Sequence, residues 1–267
     1  MPAAVSEEGA IEPAVKLKIQ EAKKSFIQGS GKKHVAIDGL SFTVGDNEYV
    51  AIVGPTGAGK SVLFDCVLGL KRLDEGEIQI DGIPAANFAK LHPGRITRIF
   101  QEDRLLPWLT AVENAALGLL FRGVSENERT DIAGHWLDSV NLGAFRHCYP
   151  REMSGGMRQR VNIARAFAPE PELVLLDEPF SALDEITAAK LRQDFKTLAK
   201  QRRSTFLIVT HSIEEAIFLA NRIIVVGAPA RVVADISVPA GAHQSVAEVE
   251  RLRVEIRNWI DIGSRKT

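Results

Sequence analysis

Apolar and polar positions alternate near the start of the chain. Val15, Leu17 and Ile19 are separated by Lys16, Lys18 and Gln20, the period of a half-buried strand. Phe42 and Val44 point to a second strand. Tyr49–Val53 is a short β-rich run closed by Gly54, bounded as a buried strand would be. Val62, Leu63, Val67 and Leu70 then recur at helical spacing. Ile78 and Ile80 alternate with polar neighbours ahead of Asp81-Gly82, a hairpin turn signal.

The pattern changes after Gln101. Thr110 with Glu113, and Ser125 with Glu128, are capping-box pairs ahead of helical apolar patterns, the second carrying Ile132, Trp136, Leu137 and Val140. Residues from about 101 to 159 therefore read as a helical insertion. Strand character returns at 173–176 and again at Thr205–Val209, with a helix bearing Leu191, Phe195 and Leu198 between them. Ser212 with Glu215 caps a further helix. The tail from about 236 ends in an amphipathic helix with Val249, Leu252, Ile256 and Trp259. Strands alternating with helices predict an α/β architecture, a parallel sheet covered by helices. Residues 1–14 read as a disordered lead, 15–235 as the main domain and 236–267 as a helical tail.

Composition narrows the class rather than defining it. The 267 residues are 45% hydrophobic and 25% charged, ordinary for a globular chain with a sizeable core. A net charge of −1 offers no electrostatic case for nucleic acid, so no nucleic-acid partner is expected. Cys66 and Cys148 stand far apart and in no metal-ligand spacing, which fits idle thiols in a reducing compartment. No apolar run reaches the roughly 18 residues of a membrane span, and the Ala- and Glu-rich first residues lack a signal-peptide pattern. The expected location is cytosolic, with any membrane role exercised through a partner.

The candidate chemistry lies in two segments. Gly54-Pro55-Thr56-Gly57-Ala58-Gly59-Lys60-Ser61 fits G-x-x-x-x-G-K-[ST] between a predicted strand and a predicted helix. Glycines there let backbone N–H groups turn inward around phosphate oxygens, and the helix N-terminus adds a favourable dipole. Lys60 is expected to reach the β- and γ-phosphates and Ser61 to ligate Mg²⁺. Downstream, Asp177 ends the apolar run 173–176, where a charge is costly without a partner, and hydrated Mg²⁺ is the natural one. Glu178 follows as the candidate group for orienting or deprotonating water beside a γ-phosphate. The plain alternative for Glu178 is an exposed acid at a strand end.

With these residues in view, the chain resembles the ATP-binding subunits of ABC transporters over about 15–260. Met153-Ser154-Gly155-Gly156-Met157 is similar to the family signature, Gln101 to the Q-loop glutamine, Ser181-Ala182-Leu183-Asp184 to the D-loop and His211 to the switch histidine, all in the family's order. The resemblance implies a P-loop NTPase fold of the ABC ATPase type, with a RecA-like core, an antiparallel β subdomain and a helical subdomain at about 101–159. It implies ATP and Mg²⁺ as cofactors, bound between two copies paired head to tail. Ser154, Gly155 and Gly156 would contact the γ-phosphate held by the partner, Gln101 would touch Mg²⁺ or the attacking water, His211 would hold the γ-phosphate and orient Glu178, and Asp184 would couple the two sites. Phe26 takes the place of the usual adenine-stacking tyrosine; its alternative is an ordinary core aromatic. Val62 follows Ser61 where a hydroxyl residue is common in the family, and Met157 replaces the signature's final glutamine.

The segment from Phe100 through Gln101 and Trp108 to Thr110 is similar to importers of the nitrate, sulfonate, taurine and bicarbonate group. This implies an ATPase on the cytoplasmic face of the membrane that powers a separate permease, with a substrate-binding protein as an indirect partner. The alternative within transporters is an exporter or lipid-trafficking ATPase. A soluble ABC protein of translation or repair is disfavoured by the missing second cassette, and a GTPase by the missing Asn-Lys-x-Asp element. Leu105, Leu106, Pro107 and Trp108 either form an exposed patch for a membrane-subunit helix or pack the insertion onto the core.

Overall fold

The computed structural model describes residues 14–264 except 28 and 30. The expected lead therefore lies outside the described residues, apart from Ala14, whose carbonyl accepts from Asp46 N at 2.8 Å.

Among the described residues, ten strands form two sheets. β1 (Val15–Ile27), β2 (Lys33–Gly45), β4 (Glu75–Ile80) and β5 (Ile83–Pro84) make an antiparallel sheet in the order β2-β1-β4-β5. β3 (Tyr49–Val53), β6 (Ile96–Ile99), β7 (Leu173–Asp177), β8 (Thr205–Val209), β9 (Arg222–Val226) and β10 (Val232–Ser237) make the second, ordered β10-β9-β3-β8-β7-β6. Its pairs are parallel except the β10–β9 edge. The helices are α1 (Lys60–Val67), α2 (Ala85–Leu91), α3 (Ala111–Leu120), α4 (Glu126–Ser139), α5 (Gly155–Phe167), α6 (Glu185–Lys200), α7 (Ile213–Leu219) and α8 (Val246–Ser264).

The central strands β3, β7, β8 and β9 are apolar without alternation because both faces of the sheet are covered there. Successive side chains point to opposite faces. Val174, Leu176, Phe206 and Ile208 enter the core shared with α3–α8, while Leu173, Leu175, Leu207 and Val209 enter the core shared with α1 and the antiparallel sheet. Four strands, β5, β6, β9 and β10, were not among the predicted elements, and β10 carries strand structure past residue 235 into the expected tail. In β1 the alternation holds for Leu17 and Ile19 but not at the strand's start. Val15 is exposed and Lys16 is buried, its ammonium held by Asp81 at 2.9 Å and Glu172 at 3.2 Å. A buried cation is tolerable only with such partners.

Local signals behave unevenly. Asp81 and Gly82 both take positive φ, 49° and 74°, and close the two-residue loop between paired Ile80 and Ile83. Thr110 and Glu113 form a reciprocal capping box on α3. Ser125 precedes α4 but makes no side-chain cap. The α1 pattern stops at Val67, so Leu70 lies beyond the helix and is exposed. In α8, Leu252 and Ile256 are fully buried as the amphipathic pattern requires.

Candidate functional site

The parallel strands β3, β6, β7 and β8 all end at one edge of the second sheet, the crevice where open α/β sheets hold ligands. Register brings the chemistry together there. Asp177 pairs with Val209, so the residues that follow, Glu178 and His211, emerge side by side. Glu178 N donates to Val209 O at 2.8 Å, and Glu178 Oε2 lies 3.2 Å from His211 Nδ1. Glu178 has φ +48°, a left-handed conformation that a non-glycine residue seldom adopts. With this turn Glu178 lines one cavity with Lys60 and Ser61, whereas a continuing strand would point it to the face opposite Asp177.

Residues 54–59 form the loop between β3 and α1. A Cβ on Gly59 would stand 2.2 Å from Ala36 O, and one on Gly54 would stand 2.4 Å from Val226 O. Only glycine permits these approaches, and Gly59 also needs φ +88°. Lys60 is buried and folds back over the loop, donating from Nζ to Gly54 O at 2.8 Å and Pro55 O at 2.9 Å. Burial lowers its pKa, opposed by the charges of Glu178 and Asp177.

A cavity of about 290 Å³ opens over this loop, close to the lower end of the range for small-ligand sites. Phe26, Thr56, Gly57, Ala58, Gly59, Lys60, Ser61, Val62 and Glu178 all line it. So do His34 and Ala36. His34 was not anticipated, although it is the direct cross-strand neighbour of Phe26. Phe26 is half-buried: it packs against the core on one side and lines the cavity on the other, with Lys24 Nζ 5.5 Å from its ring centre.

Asp177 is buried and faces two groups. Ser61 Oγ is 3.4 Å from its Oδ1, and Arg98 donates to its Oδ2. Arg98 also pairs with Asp65 of α1 at 2.7 Å. The carboxylate that pattern reading assigned to a metal thus also has a protein cation beside it. A hydroxyl and a carboxylate converging under a phosphate loop still suit Mg²⁺, which takes few protein oxygens and completes its shell with water and substrate phosphates. Accordingly no cluster of three or more acidic, His or Cys ligands occurs among the described residues.

The remaining expected site residues lie outside this cavity. Gln101 is exposed, two residues beyond β6 and level with the end of β7. Ser154 caps α5, accepting from Met157 N at 3.3 Å, and is itself exposed. Gly156 packs so close to α6 that a Cβ would meet Thr187 Cγ2 at 2.9 Å. Met157 is half-buried against the larger core. Asp184 caps α6, accepting from Thr187 N at 3.0 Å, and that bond holds its carboxyl below the usual range.

Sequence reading also missed a polar comb on α5. Gln159 is buried and donates to Pro179 O at 2.6 Å, just past Glu178. Arg158 bonds Asp103 at 2.8 Å, and Arg165 donates to the carbonyls of Asp103 and Arg104. The helix behind Ser154 is therefore bolted to the segment that follows Gln101. Further along that segment, buried Asn114 gathers the carbonyls of Leu106, Leu109 and Thr110. The four residues 105–108 divide between the two readings: Leu105 is buried, whereas Trp108 is 68% exposed.

This loop, carboxylate pair and histidine at the strand ends define a phosphate-binding α/β ATPase. The chain belongs to the ABC transporter family, whose model matches residues 37–181. It is 40% identical over 210 residues to the aliphatic sulfonates import ATP-binding protein SsuB of Bacillus thuringiensis subsp. konkukian, covering 79% of this chain and 80% of that one. It is likewise 40% identical over 220 residues to the taurine import ATP-binding protein TauB of Rhizobium johnstonii, covering 82% of each. Among solved structures it resembles a dimeric ATP-binding cassette in a post-hydrolysis state with ADP and phosphate, at TM-score 0.75 and 33% identity, over 84% of this chain and 99% of that one.

Proposed function

We propose that this chain is the ATPase of an importer for a small sulfonate- or taurine-like anion, acting with a permease at the cytoplasmic face of the membrane. The observation that carries the reading is the gathering of Phe26, residues 56–59 of the loop, Lys60, Ser61 and Glu178 around one cavity, with His211 against Glu178. The SsuB and TauB names support the anion class and the import direction over export. No helix among the described residues is long and apolar enough to cross a membrane, so a separate permease subunit is the natural partner. A substrate-binding protein would act through that permease.

In this reading Phe26 stacks the adenine, and the N–H groups of 56–61, Val62 included, cradle the phosphates. The Lys60 ammonium exchanges its two loop carbonyls for phosphate oxygens. Ser61, Asp177 and Gln101 would hold Mg²⁺, which would supply neutralisation of phosphate charge. Glu178 accepts a proton from the attacking water or orients it, and His211 fixes the Glu178 carboxylate. Ser154, Gly155 and Gly156 serve the nucleotide of a second copy, and Asp184 lies at the junction between copies.

The test is Glu178→Gln, which keeps shape and removes the base. Turnover falls by about 10²–10³-fold, while size exclusion with Mg-ATP shows a stable dimer holding two nucleotides. A variant that hydrolyses ATP normally sinks the assignment of Glu178. Exposed Trp108 is the proposed contact with the permease; Trp108→Ala is expected to keep ATP binding and to weaken permease co-purification, and unchanged assembly counts against that contact.

A further inference from the structure

Ser212 and Glu215 fit a capping box by spacing, but the structure forms only half of one. Ser212 Oγ accepts from Glu215 N at 3.2 Å, whereas Ser212 N donates to Thr210 Oγ1 at 3.0 Å instead of to the glutamate. The Glu215 side chain turns inward. It is 4% exposed, its Oε2 accepts from the Thr210 hydroxyl at 3.1 Å, and its Oε1 is buried without a hydrogen-bond partner among the described residues. An exposed cap needs no such burial, and leaving a carboxylate oxygen unpaired in the interior is costly. Thr210 is the residue before His211, is 1% exposed, and is fixed to β3 through Thr210 N to Ile52 O at 3.3 Å.

We propose that Glu215 is a positioning residue for hydrolysis: its buried carboxyl clamps the Thr210 hydroxyl and so holds the His211 ring against Glu178. This rests on the reading of Glu178 and His211 as the hydrolytic pair. The linkage is short and continuous. Glu215 grips Thr210, Thr210 grips Ser212 N, and His211 stands between them with its Nδ1 3.2 Å from Glu178. His211 is itself more than half exposed, so little packing orients it and the backbone on either side must.

The clamp is also sensitive to protons. Burial pushes the Glu215 carboxyl up to about 7, with Glu178 adding to the rise and Thr210, Arg192 of α6 and His211 opposing it. The neighbouring cations are otherwise engaged: Arg192 pairs with Glu185, Arg253 of α8 with Glu214, and Lys196 of α6 donates to Phe218 O at the far end of α7. In the neutral form the orphaned oxygen carries no desolvated charge. Ionisation would place a further carboxylate near Asp177 and Glu178 and a charge in the core, a cost that entry of water with a loosened aim of His211 would relieve.

The experiment measures ATP turnover of the full chain from about pH 6 to about pH 8.5, with KM at each point. Glu215→Gln mimics the neutral carboxyl, so its kcat relative to the unaltered chain is expected to rise with pH around a midpoint near 7. Thr210→Val is expected to lower kcat about tenfold at unchanged KM, with Thr210→Ser restoring it. His211→Ala is measured alongside. If it keeps normal turnover, the hydrolytic pair itself is wrong. If it loses turnover while the Glu215→Gln ratio is flat with pH and Thr210→Val matches Thr210→Ser, the pair stands and the clamp is overturned.

Discussion

Two anion-seeking helix starts in this molecule are built on opposite terms. At α1, the loop 54–59 is enclosed by β2 and β9, a lysine lies buried across it, and two carboxylates stand at its mouth. At α5, Ser154 is exposed, Gly156 is spent on close packing against α6, and the element lines no part of the phosphate cavity. The first start has its own charge and its own walls. The second has backbone N–H groups and a hydroxyl but no wall facing it. Under the proposed function such a site is divided: one half would bind phosphate alone, and the other would act only against a second copy.

The strongest way to break the comparison is at Lys60. Lys60→Met removes the cation from the enclosed half and is expected to weaken ATP binding by the single chain about 10²-fold, as loss of a charge-assisted phosphate contact does. Equilibrium binding on dilute protein checks this. Equal weakening by Ser154→Ala in the same assay would erase the distinction between the halves. The expected outcome for Ser154→Ala is unchanged binding by the single chain and about tenfold weaker ATP-driven dimerisation, measured on the Glu178→Gln background. The smallest effect is at the rim. Phe26→Ala is expected to cost about 1–2 kcal/mol of ATP affinity through lost stacking. GTP and inorganic triphosphate sharpen the reading: triphosphate affinity should be unmoved, since the ring touches no phosphate.

The enclosed half was readable in the sequence because its chemistry is local. Eight consecutive residues carry the loop, and an apolar run stopping at two acids marks the end of β7. The exposed half was readable only through family resemblance, since a serine followed by two glycines is by itself an ordinary helix cap. What escaped both was long-range. Arg98 meets Asp177 across 79 positions, and Gln159 reaches Pro179 across 20, neither distance leaving a trace in local periodicity. β9 escaped for another reason. Arg-Ile-Ile-Val-Val lacks alternation because both faces of the sheet are covered, and such a run cannot be told from buried helix by period alone. The Ser125 cap failed because spacing offers a hydroxyl without obliging the chain to use it.

Glu178 sits at φ +48°, and that has an evolutionary consequence. The left-handed region penalises a side chain with a Cβ by about 1 kcal/mol or more, and asparagine or glycine least. A library varied at this position and screened for folded protein alone would therefore enrich glycine and asparagine. The same library screened for turnover would retain glutamate, the residue that the backbone disfavours. If Glu178 is the hydrolytic carboxylate proposed above, selection for robustness and selection for work pull apart at a single codon.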